Sequence, residues 1–249
     1  MNKSHINSKF IIGNWKMNGS LKENFIFLSK LKNINSNKYH QMGICVPFPY
    51  LFQANELLNG SKILWGAQDI SSYDKGAYTG QVSAFMIKDF NCKLVIIGHS
   101  ERRLFQHENE SIIFKKIVIS LNNSLIPIVC FGETLNIRNN GNTLAYIDKQ
   151  LKKVFKLNKD LLSRVIFAYE PLWAIGSGYS ATQEQIYEVH NHVKKRLYNL
   201  GVTSTCILYG GSVNSKNSSY LLNISGVDGV LIGGASLLID EFLKISIIS

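Results

Sequence analysis

Eight short runs of nearly continuous apolar residues punctuate the chain: Phe10–Asn14, Met42–Val46, Ile63–Ala67, Leu94–Ile97, Ile126–Cys130, Val165–Ala168, Cys206–Tyr209 and Gly229–Ile232. They do not alternate between apolar and polar. That is the pattern of parallel strands covered on both faces. Between them lie longer stretches with apolar residues at helical spacing. Leu21–Leu31 sets Leu21, Phe25, Leu28 and Leu31 on one predicted face, and Ser111–Leu121 does the same with Ile113, Ile117 and Leu121. The longest, Thr182–Leu200, carries Ile186, Val189, Val193, Leu197 and Leu200. Thr182 is placed to cap that helix, and Gly201 to end it.

Successive strands begin about 20–40 residues apart, the length of one strand–helix unit. Alternation of this kind predicts an α/β protein with a parallel sheet. Eight units in 249 residues match a closed (β/α)8 barrel, expected as one catalytic domain over residues 1–249. The structural alternative is an open doubly wound sheet. That fold usually carries G-x-G-x-x-G after its first strand, whereas this chain has G-N-W-K-M-N there.

Composition narrows the partners. With 45% hydrophobic and 18% charged residues, the chain can bury a large core, and no Pro/Ser-rich linker divides it. The net charge of +10 raises nucleic-acid binding as a possibility. The lysines are dispersed, however: Lys115-Lys116, Lys152-Lys153 and Lys194-Lys195 fall on separate predicted helices. The expectation is a solvated basic surface with no nucleic-acid partner, whose field favours an anionic substrate. Cys45, Cys92, Cys130 and Cys206 form no C-x-x-C pair and read as reduced thiols of a cytoplasmic protein. The stretch from Met1 to Lys9 is polar, without a signal-peptide core, and no apolar run approaches the ~18 residues that span a bilayer. No membrane association is expected.

The chemistry-bearing residues sit just after predicted strands. Asn14 and Lys16 follow the first, His99 the fourth, Glu170 the sixth, Gly210, Gly211 and Ser212 the seventh, and Gly233 and Gly234 the eighth. In a parallel barrel all these ends open on one face, where such enzymes place their active sites. Each residue also has a plainer reading. Lys16 fits a surface lysine, although Trp15 and a buried strand flank it. His99 fits a satisfied core histidine. Glu170 fits a surface ion pair, although Pro171 and a glycine-bearing segment to Ala181 read as a hinged lid. The glycine pairs fit simple turns, or a phosphate site built from backbone N–H groups and a helix N-terminus. No metal site is expected: His190 and His192 are two apart on a predicted helix and diverge, and H-E-x-x-H is absent. Arg102 and Arg103 read as structural ion pairs near Glu101 or Glu133.

Seven segments, in order and at barrel spacing, resemble the triosephosphate isomerase family. They are G-N-W-K-M-N at 13–18, Y-T-G at 78–80, I-I-G-H-S-E-R-R at 96–103, C-F-G-E-T at 130–134, A-Y-E-P-L-W-A-I-G-S-G at 168–178, Y-G-G-S-V at 209–213 and G-V-L-I-G-G-A-S-L at 229–237. The resemblance implies the TIM barrel fold and the interconversion of two triose phosphates, small phosphorylated sugars of glycolysis and gluconeogenesis. It implies Glu170 as base, His99 as electrophile on the carbonyl oxygens, Lys16 as stabiliser of the enediolate, and Asn14 on the same oxygens. Glu101 is implied to orient Lys16 or relay protons. Gly176, Ser212, Gly233 and Gly234 are implied to bind phosphate, with Tyr209 and Ser212 latching the lid. The family is itself a standard example of pKa tuning, pairing a glutamate base with an imidazole kept neutral by a helix N-terminus. Also implied are a homodimer, with Thr79 reaching Asn14 of the partner subunit, and no cofactor or metal. Two positions depart from the pattern. Gln81 stands where Glu commonly follows Y-T-G, and Tyr179-Ser180 replaces a more usual Lys-Thr at the second hinge. Another phosphate-binding barrel, such as a sugar-phosphate epimerase, would share the glycine turns without needing Lys16, His99 and Glu170 together. A silent binding protein would show salt-sensitive nucleic-acid binding and no turnover.

Overall fold

The computed structural model describes residues 8–34, 39–176 and 180–247; the first seven residues of the polar N-terminal stretch lie outside these. Its strands are β1 (Phe10–Asn14), β2 (Gln41–Val46), β3 (Leu64–Ala67), β4 (Leu94–Ile97), β5 (Ile126–Phe131), β6 (Ile166–Tyr169), β7 (Cys206–Tyr209) and β8 (Gly229–Ile232). All pair in parallel in chain order, and β8 returns to β1, with Phe10 beside Gly229, to close the cylinder. Closure excludes the open doubly wound sheet. The predicted strands agree with the observed ones to within a residue at each end.

Between the strands run α1 (Leu21–Lys32), α2 (Leu51–Leu58), α3 (Ala84–Lys88), α4 (Ser100–Phe105), α5 (Glu110–Asn122), α6 (Leu135–Asn139), α7 (Thr143–Leu151), α8 (Lys159–Leu162), α9 (Gln183–Asn199), α10 (Ser218–Asn223) and α11 (Ile239–Ser246). The core has two shells. Ile12, Leu94, Ile96, Ile128, Ala168 and Leu208 fill the inside of the cylinder. Ile11, Val95, Ile97, Val129, Phe167 and Ile207 point outward against the helices. Neighbours in sequence thus serve opposite shells, because successive strand side chains point to opposite faces. Both faces are dry, which is why the strands read as unbroken apolar runs.

Helix α9 matches its predicted pattern. Ile186, Val189, Val193 and Leu197 are buried, and Thr182 caps the helix in a reciprocal box with Gln185. Gly201 follows with φ of 82°, the left-handed turn that favours glycine after a helix. Leu200 is the C-cap residue and is 43% exposed, so the stripe stops one turn short of it. Helix α5 buries Ile113, Ile117 and Leu121 as expected. Helix α1 departs from expectation: Leu21 and Phe25 are 65% and 56% exposed, and the buried face is Asn24, Phe27, Leu28 and Leu31. Apolar residues occur on more than one side of this helix. The choice was made by Trp15, whose ring meets Phe27 edge-on at 5.2 Å.

All four cysteines are free; Cys45, Cys92 and Cys130 are buried and Cys206 half-buried. Burial pushes the Cys92 and Cys206 thiols up to about 12, so they stay protonated and inert near neutrality. Among the described residues no helix is long and apolar enough to cross a membrane.

Candidate active site

Asn14 is the last residue of β1, and the chain then turns so that Lys16 takes φ of 53°. A left-handed lysine costs on the order of 1 kcal/mol and persists only where its surroundings fix it. Two contacts do so here. The Lys16 N–H donates to Asn14 Oδ1 at 3.1 Å, and Nζ reaches Glu101 Oε1 at 2.5 Å. Glu101 lies in the first turn of α4, and His99 is that helix's N-cap. The N–H of Glu101 donates to His99 Nδ1 at 3.2 Å. A ring nitrogen that accepts from a backbone N–H carries no proton, so the proton of the neutral ring sits on Nε2. That nitrogen lies 3.2 Å from Glu170 Oε1.

Glu170 follows β6 and is 2% exposed. Its N–H donates to Phe131 O at 2.7 Å, anchoring it against β5. The neighbouring loop can approach that closely only because residue 132 is glycine: a Cβ on Gly132 would lie 1.9 Å from Glu170 O. Glu170 Oε2 accepts from the Ser100 N–H at 3.0 Å. The carboxylate is therefore held at the N-terminal end of α4, stripped of water. Behind it, the Cys130 thiol is pushed well up by burial and by the adjacent Glu170 charge.

The other pole of the cavity is backbone. Gly233 leads into a short 3₁₀ turn, Gly234–Leu237, and the Ser236 hydroxyl and N–H both donate to Gly233 O. Gly176 has φ of 66°. Asn14, Lys16, His99, Glu170, Gly176, Ser212, Gly233 and Gly234 all line one cavity of about 320 Å³. Of the expected catalytic and phosphate-binding residues, Glu101 alone sits behind this wall. It lines an adjoining hollow of about 400 Å³ that shares Asn14, Lys16 and His99 and opens past Met17 and Phe105. The expected latch is present in part: Tyr209 Oη accepts from the Ala181 N–H at 3.0 Å, and Ser180 Oγ–H donates to Ser212 O at 3.0 Å. Ser177, Gly178 and Tyr179, within the expected lid, lie outside the described residues.

Glycine turns, the Lys16 ammonium, and a buried carboxylate and imidazole thus line one space the size of a small phosphorylated sugar. Among known proteins, the family model described as triosephosphate isomerase matches residues 9–248. The chain belongs to the triosephosphate isomerase family. The triosephosphate isomerase of Bordetella pertussis is 46% identical over 239 residues, covering 96% of this chain and 96% of that protein. That of Cupriavidus taiwanensis is 44% identical over 241 residues, covering 95% and 98%. That of Ralstonia nicotianae is 42% identical, covering 95% and 97%. The likeness runs the length of the barrel, so the triosephosphate isomerase fold and isomerase class apply to the whole match.

Other polar residues of the barrel find partners that no local pattern marks. Arg102 does pair structurally, but with Asp69 at 2.8 Å and Glu108 at 2.8 Å rather than with Glu101 or Glu133. Arg103 pairs with Glu110 at 2.9 Å and donates to Gly98 O and Cys130 O. Glu133 takes Arg138 instead, at 2.7 Å. Lys116, read in sequence as part of a solvated pair, is 4% exposed and joins the first cluster through Asp69 at 2.6 Å and Glu108 at 2.5 Å. His190 is buried in the core and His192 pairs with Asp148; they do diverge, and among the described residues no three ligating side chains cluster.

Proposed function

We propose that the protein interconverts dihydroxyacetone phosphate and D-glyceraldehyde 3-phosphate through an enediolate, acting in glycolysis and gluconeogenesis. Glu170 removes a proton from C1 of the ketose and returns it to C2. The Nε2–H of His99 faces the two oxygens and passes a proton between them, so atoms and electrons balance without a cofactor. Lys16 supplies positive charge where the oxyanion develops, usually the largest single contribution to such catalysis. Asn14 holds the same oxygens, and Glu101 orients the Lys16 ammonium. Gly176, Ser212, Gly233 and Gly234 hold the phosphate and fix the triose in register with the base. To act, Glu170 exchanges its hydrogen bond from the Ser100 N–H for the substrate carbon.

The observation that carries this reading is the shared cavity, lined by carboxylate, imidazole and ammonium together with the glycine turns, Gly233 lying against the Lys16 side chain. A phosphate-binding barrel of different chemistry would have no use for the first group. The direct test is a coupled assay with each triose phosphate on the purified protein. Turnover in both directions supports the reading, and absence of turnover with either substrate ends it.

The same reading includes a cytoplasmic homodimer and the chain working as one catalytic domain. Support for the dimer comes from large apolar side chains bared around the adjoining hollow and the 78–86 segment: Met17 is 95% exposed, and Leu104, Phe105, Tyr78, Phe85 and Met86 are also exposed. Thr79 is exposed at the tip between them. Light scattering at micromolar concentration gives twice the 28.0 kDa chain mass if this holds, and the single mass if it does not.

A further inference from the structure

We propose that Asn217 is a positioning residue for the anion pole of the cavity; the proposal rests on the phosphate-site reading above. Asn217 precedes α10 in the N-cap position, yet its side chain makes no bond to its own helix. Its amide is spent instead on the 212–214 turn and on Ser180. Oδ1 accepts from the Asn214 N–H at 2.9 Å. Nδ2 donates to Ser212 O at 3.1 Å and to Ser180 Oγ at 3.0 Å. Ser180 Oγ–H in turn donates to the same Ser212 carbonyl at 3.0 Å. Turning the amide over would set Oδ1 against the Ser212 carbonyl and an NH₂ group against an N–H, so the network admits one orientation.

The arrangement has an electrostatic consequence. Ser212 lines the cavity, but neither Asn217 nor Ser180 does. A carbonyl held by those two side chains therefore points away from the anion pole. Released, the peptide after Ser212 can rotate and bring a carbonyl dipole towards the phosphate, which repels an anion. The same amide joins the Ser212 turn to Ser180, where the chain returns towards α9. One side chain thus sets the relative position of two loops that meet at the anion pole, while touching neither substrate nor reacting atoms.

The test measures anion binding and turnover separately. In wild type, Ser180→Ala, Asn217→Ala and the double variant, inorganic phosphate affinity is measured by calorimetry, KM and kcat with glyceraldehyde 3-phosphate, and Tm by thermal melting. The expected result for Asn217→Ala is phosphate affinity and KM weakened about tenfold, the worth of one well-placed hydrogen bond, with a smaller change in kcat and a fold intact at assay temperature. Asn217→Asp loses both donors and adds a negative charge, so it weakens phosphate further. Because Ser180 and Asn217 share one acceptor, the double variant costs less than the product of the singles. Unchanged phosphate affinity in Asn217→Ala overturns the proposal, as does a loss of kcat and KM that only tracks a lowered Tm. If the wild type fails to isomerise while Asn217→Ala still weakens phosphate, the positioning role stands and the isomerase reading falls.

Discussion

His190 carries a pH dependence that can be worked from its surroundings. The ring is fully buried on α9, edge-on to Tyr169 with centroids 5.9 Å apart. Nδ1 is 3.0 Å from Gly226 O, and Nε2 has no partner among the described residues. A proton added at Nε2 would be a charge in the core without an acceptor. Burial pushes the pKa from 6.5 to about 4; the Gly226 carbonyl and Asp228 oppose this, and Lys194 reinforces it. The folded value lies below the unfolded one, so in the interval between them only the unfolded chain takes up the proton. The stability from this site is whole above about pH 6.5 and is lost as pH falls towards 4. At about 1.4 kcal/mol per pH unit, the loss approaches 3 kcal/mol. His40, also lowered by burial and by Lys9, adds in the same direction. The assay is urea unfolding of wild type and His190→Gln at half-unit steps from pH 7.5 to 4.5. The variant starts less stable but shows a slope shallower by up to one proton between pH 6 and 5. Equal slopes refute the reasoning. So does an imidazole resonance of His190 that titrates near 6.5, a measurement that holds even if the variant does not fold.

The remaining predictions concern the site and its support. Glu170→Gln lowers kcat by a factor on the order of 10²–10⁴, the range for a positioned acid–base group; near-normal turnover in steady-state kinetics removes Glu170 from the role of base. Lys16→Ala lowers kcat/KM at least about 10²-fold, as loss of an oxyanion-stabilising group does, with circular dichroism unchanged; a variant that still isomerises well denies Lys16 its electrostatic part. Lys116→Met leaves Asp69 and Glu108 as buried carboxylates facing Arg102, and among the described residues Glu108 Oε2 has no partner even now. The cost is about 3–5 kcal/mol, the usual result of breaking a buried ion pair on one side, and a Tm within a few degrees of wild type would show the cluster to be solvated.

Much of this protein was legible before any coordinates. The strands could be read because both faces of each are dry, leaving unbroken apolar runs that polar turns delimit. Helix α9 could be read from its 3.6-residue stripe and its Thr182 cap, since both signals lie within a few positions of one another. Once the strand ends were known, Asn14, Lys16, His99 and Glu170 had to share a face, because a parallel barrel sends every strand end to the same rim. What the chain order could not reveal is partnership across the fold. Lys16 finds Glu101 from 85 positions away, Lys116 finds Asp69 from 47, and Asn217 finds Ser180 from 37. No local pattern marks such pairs, since a charged or amide side chain looks the same in sequence whether it meets water or a distant partner. The face of α1 belongs with them: its apolar residues allowed two choices, and the contact between Phe27 and Trp15 made one. Periodicity is a local property and determined the elements by itself; which polar groups lose their water, and to whom, was decided only when the barrel closed.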